Sequence, residues 1–225
     1  PTGTPFLSTT IIQPGTWYHV VSCRSGTTWR LFVNGVIENT RVSGSDLGSS
    51  KPLVIGSLIN GLTATKFSGN ISDIRVVKGT AVYTSAFTPP TEPLTAISGT
   101  SLLINATASI IDASQSTSVL TLAGQARSST SLIKYGNSSM FFDGTGDYVF
   151  INNGFPAMDA DFTVEFWVNP GDVTDGQKSF YDARDGQVGS PVVWQNNAGI
   201  CFYAGADQIV ISSGLITATW AHVAL

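Results

Sequence analysis

The chain has little cysteine, little charge and no long apolar run. Cys23 and Cys201 are its only cysteines in 225 residues. They stand at unlike places in the sequence, so no disulfide framework is implied and two free, buried thiols are expected. Asp, Glu, Lys and Arg together make up 12% of the residues, the net charge is −4, and no cluster of Lys or Arg occurs. A groove that tracks nucleic-acid phosphates needs grouped cations, so that class is excluded. No run of apolar residues approaches the length of a membrane-crossing helix. No basic signal segment opens the sequence. Pro1 is not a natural start, so an upstream leader is compatible with it. The nucleophile motif G-x-S-x-G and the calcium loop D-x-[DN]-x-[DN]-G are both missing.

What is present is glycine, serine, threonine and alternation. Trp17, His19, Val21 and Cys23 fall on one face of an extended segment, and Tyr18, Val20 and Ser22 on the other. Trp29, Leu31 and Val33 alternate with Arg30 and Phe32. Asn34-Gly35 then supplies the two positive-φ positions of a type I′ hairpin. Phe162, Val164, Phe166 and Val168 alternate with Thr163, Glu165 and Trp167. Asp73 and Arg75 are same-side neighbours, which predicts a surface ion pair of small worth. Many short strands with regular turn signals and no helical period predict an all-β, antiparallel β-sandwich of the jelly-roll kind. Thr88-Pro89-Pro90-Thr91-Glu92-Pro93 cannot join a ladder, because proline lacks the amide proton. It marks a boundary over 88–97.

Trp17-Tyr18-His19-Val20 comes back as Trp220-Ala221-His222-Val223. The run S-G-T-T-W-R-L-F-V-N-G, followed by F-S-G-N-I-S-D-I-R-V-V-K-G-T-A-V-Y-T-S-A-F-T-P-P, resembles the second half of a laminin-G-like domain of the concanavalin A-like lectin/glucanase superfamily. The run M-F-F-D-G-T-G-D-Y-V, then D-F-T-V-E-F-W-V-N-P and W-A-H-V, resembles the first half of such a domain. The flavour ending K-G-x-A-x-Y-T-x-x-F-T-P-P is similar to domains of tailed-phage and cyanophage structural proteins. A closing half (1–97) therefore precedes an opening half (98–225). Two arrangements fit: a window cut from a tandem array, or halves that complete one another as in a circular permutant. The repeated Trp-x-His-Val favours the window, with the missing halves supplied by adjoining sequence or another chain.

The resemblance implies a non-enzymatic structural or adhesion module of a virion (tail fibre, appendage or capsid surface), built of tandem sandwiches. Its partners would be other virion proteins, copies of itself or host-surface glycans, met through rim loops, with neither nucleic acid nor membrane insertion. The other setting is a carbohydrate-binding module of a secreted or cell-surface bacterial protein. Glycosidases of the superfamily carry E-x-D-x-x-E. That triplet is absent and Glu165 is the lone glutamate of the second half, so no catalytic residue is assigned. His19 and His222 read as packed strand histidines. Laminin-G-like domains often hold calcium, the one candidate cofactor. Asp143 and Asp147 match the family's D-G-x-G-D-Y turn and are the candidate ligands, although Asp and Gly also serve turn geometry alone. Asp182 and Asp185 flank a second acidic turn. Trp29, Trp167, Trp194 and Tyr203 have the chemistry to stack on sugars, but core packing is their default role. The residues single out no ligand-binding site.

Overall fold

The computed structural model describes residues 10, 14–44, 51–58, 66–105, 109–155, 160–171, 178–183, 192–196, 199–204, 207–210 and 220–223. Among them there is no helix. The first segment forms β1 (Thr16–Ser25), β2 (Thr28–Val33), β3 (Val36–Val42), β4 (Lys51–Ile55) and β5 (Ser68–Lys78). The second forms β6 (Thr100–Ile104), β7 (Leu120–Ala123), β8 (Arg127–Ser129), β9 (Ser139–Asp143), β10 (Tyr148–Phe155) and β11 (Phe162–Pro170). It continues with β12 (Lys178–Asp182), β13 (Val192–Asn196), β14 (Gly199–Ala204), β15 (Asp207–Val210) and β16 (Trp220–Val223).

Two sheets result. The larger runs β3-β2-β1-β11-β5-β9-β8, with β6 also on β5 and β16 on β1; the smaller runs β15-β14-β13-β12-β4-β10-β7. Alternation decides which side chains meet between them. Phe162, Val164, Phe166 and Val168 of β11 are buried in the shared core with Tyr18 and Val20 of β1 and Ile74 and Val76 of β5. Phe67 ties the sheets together. Its ring meets Phe142 of β9 edge-on at 5.9 Å and Phe180 of β12 at 4.9 Å. Such buried rings contribute both area and directional contact.

The two segments do not stand as separate half-sandwiches. In the larger sheet β11 lies between β1 and β5. In the smaller one β4 lies between β10 and β12. Each segment fills gaps left by the other, so the ladder edges expected to be completed from outside are paired within the chain. Burying unpaired amides is costly, and interleaving satisfies them. The second Trp-x-His-Val, β16, lies parallel to β1, with Thr16 opposite Trp220 and His19 opposite Val223.

The proline-rich stretch likewise is no divider between independent units. It is a strap across the outer face of the larger sheet. The Phe87 amide donates to Gly35 O (2.9 Å), the Leu94 amide to Asp73 Oδ1 (3.1 Å) and the Tyr135 hydroxyl to Pro90 O (3.0 Å). Proline keeps the strap out of the ladder, so side chains and scattered amides hold it instead. The expected hairpin turn is present, with φ of 51° at Asn34 and 79° at Gly35. A Cβ on Gly35 would collide with the Phe87 carbonyl oxygen.

Gly35→Ala is therefore expected to lower stability by more than about 2 kcal/mol, through lost strap contact and positive-φ strain; a denaturant melt with an unchanged midpoint would contradict the docking. Fragments 1–97 and 98–225 expressed apart should each lack a cooperative melt and regain one when mixed. Cooperative unfolding of either fragment alone would contradict the interleaving.

Candidate functional site

Two places concentrate chemistry. The first lies under the strap. Glu165, on the outer face of β11, is fully buried. Its neighbours across the ladder are Val21 of β1 and Arg75 of β5. Arg75 Nη2 lies 2.6 Å from Glu165 Oε1, and Arg75 Nε donates to the same oxygen at 2.8 Å. His19 Nε2 lies 2.8 Å from Oε2, and the Tyr83 hydroxyl donates to Oε2 at 3.2 Å. Arg75 Nη1 donates to Thr95 O of the strap at 2.7 Å. Tyr83 and Phe87 stack on each other at 3.7 Å, and Phe87 meets the His19 ring edge-on at 5.7 Å.

Charge states follow from these contacts. Burial pushes the Glu165 carboxyl up, but the His19 hydrogen bond and the charge of Arg75 outweigh it and hold the group below its ordinary range. Burial dominates at His19 and lowers its pKa against the pull of Glu165. A neutral imidazole donating Nε2–H to an ionised Glu165 satisfies both directions. The expected Asp73–Arg75 ion pair is not formed. Asp73 sits at a bulge with φ of 53° and instead accepts from the Leu94 amide and the Ser72 hydroxyl. Burial raises its pKa to about 6. Cys23 is a free, buried thiol 2.9 Å from Thr163 Oγ1, with its pKa pushed up to about 12 by burial. All of these groups hold strands together, and none faces solvent.

The second place is the outer face of the smaller sheet. Val149 and Ile151 of β10 point inward and are buried; Tyr148 and Phe150 point outward and are half-exposed. Phe150 stands opposite Val54 of β4 on one side and Thr121 of β7 on the other. With Leu58, Lys66, Ala123 and Tyr148, these residues line a groove of about 220 Å³. Lys66 is 3% exposed, and its Nζ lies 4.9 Å from the centre of the Tyr148 ring. Desolvation lowers its pKa, against the favourable charge of Asp147. Trp194, Leu58 and Val192 form a small cluster beside the groove. The alternation of Tyr148 and Phe150 with valine and isoleucine carried a signal for this face, but nothing local in the sequence marks Lys66.

The residues singled out from sequence fall as follows. Asp147 is fully buried, and its oxygens accept the Gln125 amide (2.5 Å) and the Asp143 amide (2.7 Å). Asp143 Oδ1 accepts the Thr145 amide at 2.6 Å. These carboxylates organise the turn through backbone amides, and among the described residues no three His, Cys, Asp or Glu side chains gather into a metal set. Asp182 is buried on β12, while Asp185 lies outside the described residues. Trp29 is buried edge-on against Phe162 in the core. Trp167 is buried with Lys134 Nζ 4.1 Å from its ring centre, and Trp194 is buried beside the groove. The side chains of Tyr203, Cys201 and His222 lie outside the described residues.

Stacked antiparallel sheets with a half-exposed aromatic groove on one outer face define a lectin-type β-sandwich. A laminin-G profile matches residues 2–84 and 143–225, and the chain belongs to the concanavalin A-like lectin/glucanases superfamily. No curated protein and no solved structure gives a significant match. Membership is compatible with a carbohydrate-binding or adhesion module.

The buried network sets the acid behaviour. Glu165 has a depressed pKa, so its contribution is present above the ordinary value of 4.5 and is lost as pH falls below it. His19, also depressed, adds a loss below 6.5. Asp73 is raised and works the other way, favouring the folded state on acidification between about 6 and 3.8. The melting temperature should fall from pH 7 to pH 4. Glu165→Gln should cost about 3–5 kcal/mol at neutral pH by stranding Arg75 and deepen the fall below pH 6.5, because Glu165 is what raises the His19 pKa against burial, and Asp73→Asn should steepen the fall between about 6 and 3.8. Parallel curves for the three proteins would refute these assignments.

Proposed function

We propose that the chain is a non-enzymatic adhesion module that binds glycans on the outer face of its smaller sheet. The observation that carries this reading is the groove floored by Phe150 and Val54, with Tyr148, Thr121 and Lys66 around it. Sugars present apolar C–H faces and hydroxyls, and such sites combine aromatic or aliphatic surface with a few polar groups. The strand face thus takes the role that the sequence suggested for rim loops. A non-enzymatic role is supported by the disposition of carboxylates. Glycoside hydrolysis needs an acid and a second carboxylate across the scissile bond. The described groove lining has none, and Glu165 is committed to Arg75 and His19 beneath the strap.

The finer placement is in a virion structural protein such as a tail fibre, appendage or capsid-surface protein, with copies displayed side by side. It rests on the likeness of 67–90 to phage-type laminin-G-like sequences. Multivalent display would let a weak groove act with useful avidity. A glycan array probed with the multimerised chain should give hits that Phe150→Ala weakens at least tenfold. No binding to any immobilised glycan, or hits indifferent to Phe150, would reject the reading.

A further inference from the structure

We propose that β16 is a second key to the slot that β1 fills beside β11, and that two copies of the chain exchange β1, with the strands β2 and β3 that follow it, while β16 holds the place. The partner is a second copy of this chain, and it supplies the strand that pairs with β11 and covers Glu165.

The two strands carry one pattern. Trp17-x-His19-Val20 recurs as Trp220-x-His222-Val223, and the two stretches matched by the laminin-G profile, 2–84 and 143–225, hold one each. They also share a direction. β1 is antiparallel to β11 and β16 is parallel to β1, so β16 runs the right way for β11, against which it also lies. Tyr18 and His19 stand opposite Val168 and Trp167 of β11, and opposite His222 and Val223 of β16. A strand offers only two edges to a ladder. At His19 one edge is closed by Asn34, whose Oδ1 accepts the His19 amide at 3.2 Å and whose amide donates to His19 O at 3.1 Å. The other edge faces β11. β16, paired with β1 and lying against β11, therefore stands at the seam between them.

The slot makes two demands. Outward, it needs an imidazole for Glu165 Oε2, which His19 supplies at 2.8 Å; inward, it needs an apolar side chain, which Val20 supplies fully buried. The sequence of β16 offers His222 and Val223 at the same two steps. Where buried Tyr18 and Val21 stand, the second pattern has Ala221 and Ala224. Smaller side chains bury less area, so β1 keeps the slot at rest and β16 serves while β1 is away. Without such a place-holder, the departure of β1 would break the buried network around Glu165, a cost that holds ordinary central strands in place. A displaced β1 carries its apolar face to the one other site that fits it, β11 of a second copy. Segments that complete one another within a chain complete one another equally well between two, which is the geometry of domain swapping. Because the exchange is reciprocal, each slot is refilled by a β1 and the pair closes on itself.

The test traps β1 of one copy beside β11 of another. Cys23 faces Thr163 across the β1–β11 ladder, with its sulfur 2.9 Å from the hydroxyl oxygen. One chain carries Cys201→Ser and keeps Cys23; the other carries Cys201→Ser, Cys23→Ser and Thr163→Cys. Each then has a single thiol, and a disulfide between them requires β1 of the first beside β11 of the second. Mixed at high concentration and oxidised, they should give the crossed dimer at least tenfold more abundantly than either like-with-like dimer. Ala221→Pro in both chains removes a ladder amide from β16 and should slow the crossed product at least tenfold while leaving the melting temperature unchanged. If Thr163→Cys unfolds the chain, Ser22→Cys and Val164→Cys, the next opposed pair, replace it in chains freed of Cys23 and Cys201. No crossed dimer, or one in no excess over like-with-like dimers, overturns the exchange. A crossed dimer that forms as fast with Ala221→Pro overturns the role of β16.

Discussion

The structure turns on one carboxylate that is fully shielded from solvent. Glu165 sits in the middle of β11, and every donor that reaches it comes from residues before the proline-rich strap or at its start. His19 approaches from β1, Arg75 from β5 and Tyr83 from the strap's leading end. A buried ion pair of this kind adds little net stability over a packed apolar cluster, but losing one member is expensive. Its effect is on arrangement. A strand slipped by one residue would put Phe166 or Val164 where Glu165 must be and leave the guanidinium unanswered. Register and strap position are thus fixed by the same group.

That network also accounts for the division of labour between the two sheets. The centre of the larger sheet is covered on both faces. Phe162, Val164, Phe166 and Val168 look into the sandwich, while Thr163, Glu165 and Trp167 are covered by the strap and by residues 134–135. Among the described residues, the centre of that sheet is buried. The smaller sheet shows the opposite balance. Val149 and Ile151 are buried, but their neighbours Tyr148 and Phe150 remain half-exposed beside Lys66. The proposed recognition surface therefore lies on the sheet that the strap leaves uncovered.

Much of the fold was legible because alternation is a short-range signal. The two faces of β2 and β11 and the Asn34-Gly35 turn were readable residue by residue, and the all-β sandwich followed. The pairing of the two halves was not. Registry between residues far apart leaves no local mark, and the repeated Trp-x-His-Val pointed toward separate units. Proline-rich sequence reads as a boundary wherever it lies, since the missing amide says only that the stretch avoids a ladder. Asp73 and Arg75 misled for a related reason: a bulge beside them changes which partner each meets. Of the site, the carboxylates of the D-G-T-G-D turn were visible as chemistry, yet their amide partners were not. Lys66 carried no signal, because its importance lies in which strands surround it.

The interleaving also governs how the chain can come off a ribosome. His19 and Glu165 are separated by 146 positions, so at ordinary elongation rates β1 waits on the order of ten seconds for its neighbour to be made. During that interval Val20, Phe32, Ile71 and Val76 have no sheet to face. Until translation has passed β11, those apolar strands lack the neighbour that buries them.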